Sequence, residues 1–426
     1  MQHQREAAEF SPPAGASVHP RRVRPLANRN FLLLWLGENV SLFGDQFYVV
    51  ALPWLVFQMT GSSLAFGTIL MVEGIPRAVL MLVGGVVTDR FSPRAVMMTA
   101  NLLRLAITAL LTLVAAAQAT QLWMLYVIAF SFGLVDAFFH PAYRAMIPII
   151  VDEDNLQASN SLMLGASQIV QISGPGIAGV VVQSVGMVLS FAFDAFTFLF
   201  TSILLGLMRP PALPQKEACP ETPANRSSVL TEIGEMLAFV QRDKALRTII
   251  FVIAAVNLLF TGPLIVGTAT ISRVHFAEGS AAFGAMLSTF GVGMLVGTLA
   301  SGLVHSQRSG LISLLLVASE GVFMIGVAVA SSLIAACALW ILIGFGAGFG
   351  NVTVITLTQK RVSKEMMGRF MSLVVLAEVG LTPVSNALAG VLADVNVTVL
   401  FVLAGGLLTL TALTAATNRD LRLASA

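Results

Sequence analysis

Charge is scarce in this chain. Only 11% of its 426 residues are Asp, Glu, Lys or Arg, where an ordinary soluble domain carries about a quarter. With 56% of residues hydrophobic, a soluble fold would have more apolar surface than one core can hide, so the excess must face lipid. Cysteine is nearly absent too. Cys219 falls in a polar connection and Cys337 in an apolar run, which excludes a disulfide framework and a thiolate metal site. The five histidines, His3, His19, His140, His275 and His305, show no pair at metal-ligand spacing. No Ser/His/Asp arrangement and no Gly-x-x-x-x-Gly-Lys-Ser/Thr stretch is present, which argues against a membrane-embedded enzyme and against ATP drive. The first 29 residues, with Arg21, Arg22, Arg24 and Arg29, lack the apolar core of a secretory signal. They read as a cytoplasmic lead that carries topogenic charge.

What the chain has in abundance is long apolar runs. A helix needs about 20 such residues to cross the hydrocarbon. Twelve runs qualify: 31–58, 64–87, 95–117, 122–139, 157–182 and 187–207, then 245–271, 281–304, 311–331, 333–357, 370–392 and 395–416. They are too long and too continuous for barrel strands, so helices are the expected spanning form. Turn-rich breaks such as Thr60-Gly61-Ser62-Ser63 and Asp394-Val395-Asn396 separate them. The fold class is therefore all-α, a polytopic membrane protein of twelve spans. Threading the 24 Lys and Arg through this topology puts 21 on one side and only Arg273 on the other, with Arg77 and Arg104 inside spans. Cytoplasmic loops hold the basic excess, so both termini are expected in the cytoplasm, with the protein in the cell (inner) membrane.

The one long polar connection, 209–244, divides the chain into six spans plus six. The expected organisation is a tail over 1–29, a bundle over 30–208, the 209–244 loop, a second bundle over 245–417 and a tail over 418–426. Shifting the sequence by 211 positions matches Gly133 with Gly344, Phe138 with Phe349 and Ser161-Leu162 with Ser372-Leu373. The same shift matches Ala178-Gly179-Val180 with Ala389-Gly390-Val391. Duplicated six-helix bundles are the pattern of carriers that rock about a site at mid-membrane.

The connection after the second span reads Gly85-Val86-Val87-Thr88-Asp89-Arg90-Phe91-Ser92-Pro93-Arg94. It resembles the signature of the major facilitator superfamily, although Ser92 and Ala95 stand where a second glycine and a terminal arginine are usual. The resemblance implies a conformational gate formed by Gly85, Asp89, Arg90 and Arg94. In it Asp89 lies near the helix that begins at Gly368-Arg369, as a carboxylate is favoured at a helix N-terminus. Asp136 resembles the family's acidic partner for a loop arginine, Arg90 or Arg94. The alternative is a polar turn that only sets topology.

Gly174-Pro175-Gly176-Ile177-Ala178-Gly179 in the fifth span resembles the glycine-proline signature of members that export by antiport. Glycine lets helices approach and Pro175 removes a backbone donor, so a plain packing kink is the alternative. Gly44-Asp45-Gln46-Phe47, Ala51 to Leu55, and the run from Pro141 to Pro148 followed by Leu156 to Ser161 resemble a 12-helix subfamily of macrolide and siderophore exporters. The resemblance implies secondary active export of a small hydrophobic or amphipathic molecule. The proton would be the coupling ion, with no bound cofactor. The expected partners are that cargo and the lipid bilayer, not nucleic acid, and the chain is expected to work as a monomer. A lipid or nutrient carrier of the same fold, importer or flippase, is the nearest alternative.

A charge in the bilayer core costs at least about 2.5–3.5 kcal/mol, so each one needs a reason. Glu38 and Asp45 are seven apart and share a helix face. Glu73 and Arg77 are four apart and can pair. Asp45 has no basic neighbour on its own helix, and Arg104 is its alternative partner. The candidates for proton coupling are Asp45, Glu378 and Glu38, with Glu73–Arg77 as an intramembrane ion pair. Asp194 and Glu320 are set lower, because the family's sixth and ninth helices usually stand outside the cavity. Phe43, Phe47, Tyr48, Trp54, Asn257 and Phe260 are candidates for an apolar cargo wall.

Overall fold

The computed structural model describes residues 25–209, 243–304, 309–362 and 364–418. Its helices follow from local chemistry. The Asn28 side chain accepts from the backbone N–H groups of Asn30 and Phe31 at 3.0 and 3.2 Å and starts α1, Arg29–Thr60. Gly61 ends that helix at φ 68, the left-handed turn that favours glycine. Ser62 then caps α2, Ser63–Arg90. After the break at Phe91-Ser92, Pro93 opens α3, Pro93–Ala116. The first half continues with α4 Leu122–Ile150, α5 Leu156–Ser184 and α6 Met187–Leu207.

In the second half, α7 spans Leu246–His275. A π-helical turn over Pro263–Gly267 interrupts it, where Pro263 has no N–H to donate. Next come α8 Ser280–Leu303, α9 Ser309–Ala328 and α10 Leu333–Arg361. The last two spans, α11 Leu373–Val395 and α12 Val397–Ala415, are nearly continuous and divide at Asn396, whose φ of −167 and ψ of 119 break the helix. That is the break expected at Asp394-Val395-Asn396. The twelve spans of the sequence are present, with two corrections. The α4 helix runs about three turns past the expected end at residue 139, so Arg144 is a helix residue and not a loop residue. Asp89 and Arg90 likewise close α2 instead of lying in the connection after it.

Both ends of the described chain lie on one face, called here the terminal face. Asn28 Nδ2 donates to the Ile150 carbonyl at 2.7 Å at the end of α4, and Asn418 Nδ2 donates to the Lys244 carbonyl at 3.2 Å at the start of α7. The two halves are built alike. In the first, α2 packs on α4 at Gly133, where an added Cβ would strike the Glu73 carbonyl. In the second, α8 packs on α10 at Gly344, its repeat mate, where a Cβ would strike the Phe290 carbonyl. A backbone-to-backbone approach of this kind holds membrane helices together without a hydrophobic driving force.

The halves meet along α2–α11 and α5–α8. Gly67 and Gly390 face each other across the first seam, Gly179 and Gly284 across the second. Among the described residues, every hydrogen bond joining the halves lies away from the terminal face. The Asp394 carboxylate accepts from the Ser63 N–H at 2.7 Å and the Ser62 hydroxyl at 3.2 Å. Arg273 donates to the Gly61 carbonyl at 2.9 Å. Ser280 donates to the Gly179 carbonyl at 3.1 Å and to Gln183 Oε1 at 3.2 Å, and Ser288 Oγ accepts from the Gly176 N–H at 2.8 Å. Trp54 stacks on Phe283 of the other half at 5.9 Å. Among the described residues the halves are thus hydrogen-bonded to each other toward the far face.

Candidate functional site

The space left between the halves is a cavity of about 850 Å³. It runs from Leu52 and Phe66 toward the far face to Tyr143, Arg144 and Asn160 toward the terminal face. Its wall comes mostly from α1, α2, α4 and α5, with Thr261 and Ile265 of α7 and Thr382 and Asn386 of α11 completing it. Five carboxyl groups, Glu38, Asp45, Glu73, Asp136 and Asp194, line it together with Arg77, Arg104, Arg144 and His140.

Asp136 is the hub. Arg104 Nη2 of α3 donates to Asp136 Oδ1, and Arg77 Nη1 of α2 lies 3.6 Å from Asp136 Oδ2. Arg77 also reaches Glu73 Oε1 at 3.9 Å, the pair expected from their spacing, but it is shared with Asp136. Arg104 is held flat, its guanidinium 3.9 Å above the Phe139 ring centroid and 5.7 Å from that of Phe198. The expected partnership of Asp136 with Arg90 or Arg94 is therefore overturned. Arg94 instead caps the end of α6, donating from Nε to the Leu205 carbonyl at 2.8 Å and from Nη2 to the Gly206 carbonyl at 2.9 Å. Arg90 is exposed at the end of α2.

Glu38 and Asp45 both line the cavity, as their shared face requires. Asp45 stands halfway along α1, and Glu38 Oε1 is buried with no hydrogen-bond partner among the described residues. Asp194 is a correction. Far from standing outside, it is fully buried and lines the cavity beside Asp45, with neither oxygen hydrogen-bonded among the described residues. Gly44 makes this possible. A methyl there would come within 2.8 Å of Asp194 Oδ1 and collide with Thr197, so glycine lets α6 lie against α1. An aspartate in the middle of an otherwise apolar helix was the signal available in the sequence.

Glu378 lies elsewhere. It is exposed and lines a second cavity, of about 580 Å³, inside the C-terminal half, where Asn257 and Phe260 also lie. Glu320 lines that cavity too, again against its lower expected rank. Of the other aromatic candidates, Tyr48 faces the central cavity, whereas Phe43 and Phe47 pack on Phe193 in the first half.

The helix-5 motif lies partly inside the first half and partly on the α5–α8 seam. Gly174 packs against Gln46 of α1, at 2.5 Å for an added Cβ, the Gly176 N–H bonds to Ser288, and the Pro175 carbonyl and Gly179 meet Gly284 of α8. In the loop signature, Gly84 and not Gly85 makes the close approach, against the Ala137 carbonyl, while Gly85 faces open space. The side chains of Asp89, Gly368 and Arg369 lie outside the described residues, as do the linker over 210–242 with Cys219 and both tails.

A cavity that carries charged groups between two repeated apolar bundles is the arrangement of a multi-pass membrane transport protein. The sequence profile of the Major Facilitator Superfamily matches residues 34–379, and the chain belongs to that family. It is 25% identical over 396 residues to macrolide efflux protein A of Streptococcus pyogenes, covering 89% of this chain and 93% of that one. It is 27% identical to the multidrug efflux pump Tap of Mycolicibacterium fortuitum, over 85% of this chain and 89% of the other. With the enterobactin exporter EntS of Salmonella typhi the identity is 25%, over 80% of each. Among solved structures, a bacterial homologue of the lysosomal transporter Spinster, inward-facing and occupied, superposes with a TM-score of 0.70 at 12% identity, over 94% of this chain and 99% of that one. Likeness at that identity carries the fold alone.

Proposed function

We propose that this protein is a secondary active exporter that moves a small hydrophobic or amphipathic molecule, of the drug, macrolide or siderophore class, by proton antiport and alternating access. The observation that carries the reading is the excess of carboxyl groups over guanidinium groups in one cavity at the seam of the halves. Uncompensated charge is costly in a low-dielectric space, and protonation relieves it. Asp136 is already matched by Arg77 and Arg104, which leaves Asp45 as the proton carrier, with Glu38 and Asp194 beside it. The helix-5 motif and the efflux names of the relatives favour export over import.

The basic excess on the terminal side supports a reading with the termini and the cavity mouth toward the cytoplasm, in the cell membrane, and one chain is taken as the working unit. Protons entering from outside would favour the inward-open form, and their release would accompany cargo capture. A bias of a few kcal/mol between two states suffices for such a cycle. When the terminal face closes, Asp89 is read as the gate carboxylate at the start of the 364–372 segment, with Arg90 beside it.

The test is cargo flux in sealed vesicles with an imposed pH gradient, screened over dyes, antibiotics and siderophores. Gradient-driven extrusion that Asp45→Asn abolishes, with insertion intact, supports the reading. Extrusion that is indifferent to the gradient or to Asp45→Asn removes it.

A further inference from the structure

We infer that the C-terminal half holds its own binding site for a lipophilic monocation, in the cavity around Glu320 of α9. The cavity measures about 580 Å³ and is walled by α7 to α11, a size that suits a drug-sized molecule. Most of its wall is aliphatic or aromatic, and none of its lining residues is Lys, Arg or His. Two carboxyl groups belong to this wall, Glu378 of α11, which is exposed, and Glu320, which is buried. Glu320 is 2% exposed, and its Oε1 has no hydrogen-bond partner among the described residues.

Gly346 of α10 packs behind the carboxyl group, where a methyl group would sit 2.8 Å from Oε1, 3.1 Å from Cγ and 3.4 Å from Cδ. Glycine there gives the buried acid the room it occupies. A buried carboxyl oxygen with neither counter-ion nor donor among the described residues is a group waiting for one. The central cavity is different, since Arg77, Arg104 and Arg144 share its wall with the carboxyl groups.

The chemistry of the occupant follows. Phe260 and Phe290, with ring centroids 5.7 Å apart, belong to the wall, and aromatic rings attract an organic cation. Among the described residues no cluster of three or more His, Cys, Asp or Glu side chains is placed to hold a metal ion. A cation with its charge set inside an apolar body matches both the carboxyl group and the walls. The inference rests on the export reading only in making this occupant the cargo, with the proton site in one half and the cargo site in the other.

The probes are tetraphenylphosphonium and tetraphenylborate, ions of similar size and opposite charge, titrated onto the purified full-length protein in detergent. The wild type is expected to bind the cation at least tenfold more tightly than the anion, about 1.4 kcal/mol. Glu320→Gln should erase that preference, and Gly346→Ala, which keeps the acid but crowds it, should weaken cation binding several-fold. Asp45→Asn should leave cation binding within twofold while losing proton-driven flux. Absence of charge preference, or cation binding indifferent to both Glu320→Gln and Gly346→Ala, overturns the site. So does cation binding that is lost in Asp45→Asn. Cation binding that depends on Glu320 in a protein without gradient-driven flux upholds the site and sinks the antiport reading instead.

Discussion

Gln183 and Asp394 stand 211 positions apart, at equivalent points of the repeat, and each reaches from the end of its helix to the N-terminus of a helix in the other half. Gln183 meets Ser280 at the start of α8, and Asp394 meets Ser62 and Ser63 at the start of α2. The two contacts close the far face at mirrored places, but only Asp394 brings a charge to the positive end of a helix dipole.

The asymmetry predicts unequal latches. A carboxylate at a helix N-terminus contributes about 0.3–1 kcal/mol, up to about 2 where partly buried. Asp394→Ala is therefore expected to raise the fraction open at the far face several-fold, and Gln183→Ala to raise it less. The check is the labelling rate of a cysteine at Leu70, inside the cavity, by an impermeant thiol reagent applied to that face. Equal rates in wild type and Asp394→Ala would show that the contact does not bear on closure.

Arg104 is expected to be the residue on which the folded first half most depends. Removing one partner of a buried pair costs about 3–5 kcal/mol because the other is left uncompensated. Arg104→Leu should lower thermal stability in detergent sharply, and Asp136→Asn in the same chain should recover part of the loss. Arg104→Lys should fall between, since lysine keeps the charge and loses the planar contact with Phe139. Additive losses in the double variant would mean that the two residues act separately.

The glycines on the seams set how closely the halves approach. At Gly284 a Cβ would strike the Pro175 carbonyl, and at Gly67 the Asn386 carbonyl. Gly284→Val and Gly67→Val are each expected to hold the far face apart and to slow any transport cycle at least tenfold, with the helical content of the protein unchanged. Circular dichroism and cysteine labelling test the two parts, and normal closure in either variant would contradict the packing account.

Asp45 and Asp194 share one stretch of cavity wall, so their contributions should not add. Asp194→Asn alone is expected to reduce gradient-driven flux, and the double variant with Asp45→Asn to be no worse than Asp45→Asn. Measured flux in the four proteins closes the cycle. Independent, multiplicative losses would remove Asp194 from the proton site.

Much of this architecture is legible in one sequence because hydrocarbon is a strict solvent. It demands runs of fixed length, and the glycines that match across the repeat, Gly133 with Gly344 and Gly179 with Gly390, are those on which helices touch. The Asp394-Val395-Asn396 break was readable from its turn residues. What escaped were contacts between distant helices. Arg104 and Asp136 are 32 residues apart, and no periodicity on one helix says which neighbour its charge will meet. Asp194 escaped for a different reason: an expectation about where sixth helices stand outweighed the cost of an aspartate in an apolar run. The end of α4 was misplaced because Pro141 and Arg144 resemble a loop, yet the helix continues through both.

The account stands or falls on the two faces moving in opposition. Spin labels at the exposed positions Gln157 and Lys360 would report the terminal face, and labels at Gln121 and Glu278 the far face, in chains with Cys219 and Cys337 replaced. Pulsed dipolar distances measured across a pH series are predicted to change in opposite senses, one pair lengthening as the other shortens. Two distances that move together, or a far face that opens while the terminal face stays open, would contradict alternating access about the cavity at Asp45.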